Sequence, residues 1–256
     1  MRRVALVTGA GRGIGRAIAA RLAADGLAVA VNDIDEAAAQ RVVAAIRDGG
    51  GEALAVPGDV TRADEVGAMV ATTTAALGPP DVLVNNAGVI SVAPVAQLEE
   101  AQWSRVLAVN LTGAFLCAKA VVSGMVDRGW GRIVSIASDA AKTGEPYLAH
   151  YCASKFGLVG LTQSLALEVA GAGVTVNAVC PAITATEMME RLVDDYARIP
   201  GVGSESAARA AFVAEIPMGR VGRPEDVAGV VAFLCGEDAA FVSGQALNVS
   251  GAHEVH

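Results

Sequence analysis

Lysine is scarce in this chain, with three in 256 residues at Lys119, Lys142 and Lys155. Basic residues number 19 against 27 acidic ones, so the net charge is −8, and no local cluster of Lys and Arg reverses it. A surface of that sign repels phosphate backbones and anionic lipid, so nucleic acid and membrane are not expected as partners. Cysteine is sparse too. Cys117, Cys152, Cys180 and Cys235 stand singly among apolar or small neighbours, without metal-ligand spacing, and read as reduced core residues. No metal is expected. Long apolar runs are also missing: the first, from Val4, breaks at Thr8 and Gly9, too short for the core of a signal peptide. No stretch approaches the ~18 uncharged apolar residues of a membrane span. A soluble cytoplasmic protein is the expectation.

What the chain has in quantity is small aliphatic side chains. Hydrophobic residues make up 53% and charged ones 18%, which excludes a disordered chain and suits a sheet covered on both faces. Short continuous apolar runs recur with helical segments between them: VALVT from Val4, AVAVN from Ala28, ALAVP from Ala53, DVLVNN from Asp81, RIVSIAS from Arg132, VTVNAV from Val174 and ALNV from Ala246. Strands alternating with helices form parallel βαβ units, and no Pro/Ser-rich linker or internal repeat divides them. The chain therefore reads as one doubly wound α/β domain over residues 1–256. Its longest departure is the polar, helix-prone segment 182–217, with PGVGS in its middle, expected as a substrate lid beside a strand end.

TGAGRGIG, from Thr8 to Gly15, follows the first strand and opens a helix. Glycines there let the backbone turn tightly and approach a pyrophosphate, while the helix N-terminus offers free N–H groups and partial positive charge. Asp33 ends the second strand eighteen residues past Gly15, where an acid accepts from ribose hydroxyls. Asp33 could also cap the helix that follows it, and the two roles are compatible.

YCASK places Tyr151 and Lys155 four residues apart. On a helix they share a face, so the lysine charge would stabilise the tyrosine phenolate and make the phenol a proton carrier. Taken alone, the pentapeptide is read as an ordinary helix surface, with the tyrosine half buried and the lysine in water.

The order TGAGRGIG, NNAG (Asn85 to Gly88), SIAS (ending at Ser138) and YCASK resembles the classical short-chain dehydrogenases/reductases over essentially the whole chain. The likeness implies a single Rossmann domain with a seven-stranded parallel sheet and helices on both faces, a homotetramer, and a catalytic tetrad of Asn110, Ser138, Tyr151 and Lys155. It assigns Gly9, Arg12, Gly13, Ile14, Gly15 and Asp33 to the coenzyme phosphates and ribose. Asp59 and Val60 would meet the adenine, Asn86, Ala87 and Gly88 the coenzyme and central sheet, Pro181 and Thr184 the nicotinamide end, and Thr186 the carboxamide or the pyrophosphate. Tyr151 and Lys155 would touch the coenzyme as well. GRVGRPEDVA, from Gly219 to Ala228, is a further family signature, with Pro224, Glu225 and Asp226 forming good helix-start chemistry.

Within the family the chain looks most like diol and polyol dehydrogenases of the butanediol/acetoin, sorbitol or galactitol type. It departs from the family at Ala182, Thr184 and the SGAH tail from Ser250. The implied activity is NAD-dependent hydride transfer between the coenzyme and a small secondary alcohol or ketone. Two alternatives stand beside it: an NADP-dependent 3-oxoacyl thioester or general carbonyl reductase, kept open by Arg12, and a non-catalytic dinucleotide sensor. His150 reads as a packing or pocket-rim residue, and His253 and His256 as tail residues without chemistry.

Overall fold

The computed structural model describes residues 2–199 and 204–256. All seven apolar runs become strands: β1 (Val4–Val7), β2 (Ala28–Val31), β3 (Glu52–Ala55), β4 (Val82–Asn85), β5 (Gly131–Ile136), β6 (Val174–Pro181) and β7 (Ala246–Val249). They form one parallel sheet in the order β3-β2-β1-β4-β5-β6-β7. The order reverses between β1 and β4, and a crevice opens at the carboxyl ends of the strands there.

Successive strand residues point to opposite faces, so Ala5 and Val7 join one core layer and Leu6 the other. The first layer is closed by α1 (Gly13–Ala24), α2 (Glu36–Asp48) and α9 (Pro224–Cys235), through residues such as Ile18, Val42 and Val231. The second is closed by α3 (Ala63–Ala76), α5 (Gly113–Asp127) and α6 (Ala149–Val169), through Met69, Val121 and Ala166. Both faces being covered explains why the strand sequences do not alternate with polar residues. Each fully buried Leu, Ile or Val in these layers contributes about 1.5–3 kcal/mol. The edge strands β3 and β7 are only partly buried, as edges should be.

The helix starts follow local chemistry. Asp35 caps α2 by accepting from the Ala38 N–H at 3.1 Å, which leaves Asp33 free of that duty. Pro224 sits in the first turn of α9, and Asp226 accepts from the Arg223 N–H at 2.7 Å.

One helical stretch is apolar over a greater length than the strand runs, although Lys119 interrupts it. α4 (Glu100–Leu107), a π-helical turn over Ala108–Thr112, and α5 run on as Glu100–Asp127, long and apolar enough by composition to cross a membrane. The reason is packing: Ala114, Cys117, Ala118, Val121 and Met125 on this stretch are buried, and a core helix carries the same apolar density.

Segment 182–217 holds α7 (Glu187–Ala197) and α8 (Glu205–Ala214), packed on each other through Met189, Val193 and Ala208. Most of its PGVGS stretch, residues 200–203, lies outside the described residues.

Candidate active site

Loops at the carboxyl ends of the strands wall a cleft of about 590 Å³. Gly9, Arg12, Gly13, Ile14 and Gly15 line it after β1, Asp33 after β2, and Asp59 and Val60 after β3. Asn86, Ala87 and Gly88 follow β4, Ser138 follows β5, and Pro181, Thr184 and Thr186 come from β6 and its exit. Tyr151 and Lys155 enter from α6. Of the residues expected here, Asn110 alone is not part of the wall.

The glycine loop is built for close approach. Gly9 and Gly13 adopt φ of 58° and 53°, and a Cβ on Gly15 would lie 2.4 Å from Asn86 Nδ2. That amide donates to the carbonyls of Thr8 (2.8 Å) and Gly9 (2.9 Å), tying the loop to the end of β4. The Arg12 side chain does not cap α1, and no acid occupies the first turn, so the helix end keeps its positive character. Arg12 instead reaches Glu187 at 3.3 Å, with both side chains largely exposed.

Asp33 is 6% exposed. One carboxylate oxygen accepts from the Gly11 N–H at 2.9 Å and the other from the Asp35 N–H at 3.0 Å. The carboxylate is thus fixed beside the glycine loop, and each oxygen retains a further lone pair.

At the opposite end of the cleft, Lys155 is 4% exposed, and its ammonium donates to the Ile136 carbonyl at 2.7 Å. Burial lowers its pKa to about 8. An ammonium has three donors. One is used here, which leaves two for a bound polyhydroxyl group and makes the site a good fit for a nucleotide ribose. Lys155 Nζ sits 5.5 Å from the centre of the Tyr151 ring, so the two residues do share a helix face.

The expected electrostatic benefit to Tyr151 does not follow in this state. Burial pushes the Tyr151 phenol pKa up, and the neighbouring Ser138 hydroxyl acts in the other direction. Desolvation outweighs a lysine that is directed at a backbone carbonyl.

Asn110 is 1% exposed and lies behind the wall on the π-helical turn. Its amide accepts from the Val89 N–H at 2.8 Å and donates to the Val89 carbonyl and Ser154 Oγ, both at 3.0 Å. It anchors the chain after β4 to α6. Thr186 caps α7 by accepting from the Met189 N–H at 3.4 Å, and Thr184 donates to the Ala182 carbonyl at 2.9 Å.

His150 is fully buried, with Nε2 2.7 Å from Ser91 Oγ and its pKa lowered by burial, which fits the packing role. His253, expected in the tail without chemistry, lines the cleft, with Nδ1 3.2 Å from Asp139 Oδ2. Asp139, Glu145 and Glu215 also line the cleft and make its outer end acidic. Asp139 adjoins Ser138, a signal the sequence did offer; for His253 and Glu215 it offered none.

Comparison with known proteins bears on the family and the fold. The family model described as short chain dehydrogenase matches residues 3–197. A 3-oxoacyl-[acyl-carrier-protein] reductase of Synechocystis sp. is 44% identical over 250 residues, covering 97% of this chain and 95% of the relative. A 2-(S)-hydroxypropyl-CoM dehydrogenase of Xanthobacter autotrophicus is 40% identical, covering 97% and 95%. Among solved structures, an actinorhodin polyketide ketoreductase variant with NADPH superposes with a TM-score of 0.96 at 43% identity, covering 100% of this chain and 98% of that one. With its fold, its glycine cradle and these relatives in agreement, the chain belongs to the short-chain dehydrogenase family and is a nicotinamide-dependent oxidoreductase.

Proposed function

We propose that this protein interconverts a ketone and a secondary alcohol, with a 3-oxoacyl thioester or related acyl ketone as its first substrate class and NAD(H) as its coenzyme. The observation that carries the reading is the meeting of Ser138, Tyr151 and Lys155 at one end of a cleft whose other end is a glycine cradle closed by Asp33. A binding-only sensor has no need of that trio. The substrate class leans on the relatives, one named as a 3-oxoacyl reductase and one as a polyketide ketoreductase.

The bound nicotinamide supplies or accepts the hydride. Gly9, Gly13 and Gly15 with the start of α1 would hold its phosphates, Asp33 the adenosine ribose and Lys155 the second ribose. Tyr151 gives a proton to the ketone oxygen during reduction and takes one from the alcohol during oxidation. The phenol is protonated at neutral pH and so holds the proton that reduction needs, although burial by itself makes it a weaker acid. Ser138 steadies the same oxygen by a hydrogen bond. Met188, Met189 and Leu192 of α7 line the cleft and give the substrate end an apolar side. α7 also touches both banks, through Glu187 to Arg12 and through the Tyr196 hydroxyl, which donates to the Pro146 carbonyl at 3.0 Å. That bridging supports a lid role for segment 182–217.

A second reading rests on the acidic end of the cleft. Asp139, Glu145 and Glu215 disfavour an anionic carrier and favour a neutral diol or polyol. Assaying 3-oxoacyl thioesters, hydroxyketones, diols and polyols with both coenzymes, followed by the absorbance of the reduced nicotinamide, separates the two. Turnover confined to small polyols would move the assignment to the second reading. Turnover that survives Tyr151→Phe would remove both.

A further inference from the structure

Along α7, Met188, Leu192 and Tyr196 follow one another at i, i+4 spacing and form a single row on the side that faces the cleft. The row starts beside Glu187, which reaches Arg12 of the glycine loop, and therefore at the coenzyme end. Leu192, in its middle, packs on the buried group of Ala140, Leu148 and Cys152 against which Tyr151 also rests. It marks the level of the reacting oxygen. Tyr196 comes one turn later, ~6 Å further along the axis at about 1.5 Å per residue.

Tyr196 is held at that level from three sides. Its hydroxyl donates to the Pro146 carbonyl at 3.0 Å. Its ring meets Tyr147 edge-on, with centroids 6.2 Å apart, and Phe212 of α8 edge-on at 5.5 Å. Both are separations at which edge-to-face rings attract. Tyr147 has a φ of 65°, a left-handed conformation that is an outlier for so bulky a residue. Strain of that kind persists only where the surroundings over-determine it. Here the Tyr147 carbonyl accepts from the Ala93 N–H at 3.0 Å, which fastens the turn to the loop after β4. One strained turn thus presents both the Pro146 carbonyl and the Tyr147 ring to Tyr196.

Tyr196 and Phe212 both line the cleft. Its volume of about 590 Å³ is of the size that a single drug-sized ligand takes, ~300–1,000 Å³, yet it serves a dinucleotide as well as a substrate. Little length remains for the substrate. Glu145, next to Pro146, and Glu215, at the end of α8, also line the cleft, so an alkyl chain extending past the rings would desolvate carboxylates.

We propose that Tyr196 and Phe212 set an upper limit on the length of the acyl portion, so that the protein acts on short-chain 3-oxoacyl thioesters. The proposal rests on the reading of the protein as a ketone reductase with Tyr151 at the reacting oxygen. The alkyl arm of the substrate lies along Met188 and Leu192 and stops at the Tyr196 ring, and the thioester lies on the other side of the keto carbon. Phe212 acts both as part of the stop and as a brace on Tyr196, while Tyr147 is a positioning residue behind it.

The test measures kcat/KM for the 3-oxobutanoyl and 3-oxodecanoyl thioesters of N-acetylcysteamine with the parent enzyme, Tyr196→Ala, Phe212→Ala and Tyr196→Phe. A closed apolar wall discriminates against added methylenes by about tenfold or more, so the parent should prefer the short thioester by at least that factor. Each alanine should shrink the preference roughly tenfold, by raising activity on the long thioester. Tyr196→Phe keeps the ring and loses only its tie to Pro146, and should shift the preference in the same direction by less. A gain on one substrate is not what a loosened fold produces. Matched thermal melts identify a variant that unfolds, and Phe212→Ala carries the test if α7 does not tolerate Tyr196→Ala. Equal turnover of both lengths by the parent, or a preference that both alanines leave untouched, overturns the stop while ketone reduction stands. If no 3-oxoacyl thioester is turned over, that substrate reading falls. The same variants are then compared on the vicinal diols of butane and decane, where an untouched preference overturns the stop as well.

Discussion

Replacing Asp33 with Asn tests the coenzyme assignment at one carboxylate. Asp33 is 6% exposed and held by the Gly11 and Asp35 N–H groups at 2.9 and 3.0 Å. It cannot swing away from a 2′-phosphate. Frustrating a buried charged contact of this kind costs ~2–5 kcal/mol. The counterweight is Arg12, but its side chain is 54% exposed and already faces Glu187 at 3.3 Å. An exposed pair of that kind contributes about 1 kcal/mol or less. The net is about 2 kcal/mol in favour of NAD, or roughly thirtyfold in kcat/KM. Asparagine keeps the shape and an acceptor for the Gly11 N–H while removing the charge. NAD then loses charge-assisted bonds, about 1 kcal/mol, and NADP loses the repulsion. The preference for NAD should be lost and turn toward NADP, at roughly 1.4 kcal/mol per decade. Steady-state kcat/KM for both coenzymes, with calorimetric affinities for each, reads this directly. A parent enzyme equally active with NADPH, or a ratio that Asp33→Asn leaves untouched, would refute the reasoning.

Other outcomes follow from the same structure. Lys155 has its pKa lowered from 10.5 to about 8, so between those values the unfolded chain binds more protons and this group makes stability rise with pH. Cys117 and Cys235, raised from 9.0 to about 12, act in the opposite sense above pH 9. Urea unfolding should therefore show Lys155→Met losing about 2 kcal/mol more than the parent between about pH 8 and 10, at ~1.4 kcal/mol per pH unit; equal losses would show that Lys155 is not desolvated. If segment 182–217 is a lid, hydrogen exchange in α7 should slow when coenzyme and substrate are both present, and equal protection with and without them would count against it. Phe233 (43% exposed) on α9 and the half-buried β7 leave apolar surface for subunit contacts, so light scattering should report a tetramer; a monomer at micromolar concentration would refute that.

Strand positions, sheet type and the phosphate cradle were legible in the sequence because each depends on short-range pattern. Continuous Val, Leu and Ala runs between helical segments can only be buried in a parallel sheet, and a glycine loop directly after the first of them falls at the crevice. The i, i+4 spacing of Tyr151 and Lys155 likewise fixed their shared face. What the spacing could not supply was solvation. Whether Lys155 lowers the Tyr151 pKa depends on where the ammonium points and how much water remains, and the fold directs it to the Ile136 carbonyl in a dry site. The cap role that Asp33 could have shared with ribose binding was also open, until the backbone placed Asp35 at the cap instead. His253 is the clearest case. It lies 114 residues beyond Asp139 in a tail without periodicity, and only the left-handed turn at Gly251 and Ala252, closed by Ser250 Oγ donating to the Glu254 carbonyl at 2.8 Å, brings the two within 3.2 Å. Long-range encounters of this kind are set by how packed elements end against each other, which no local pattern encodes.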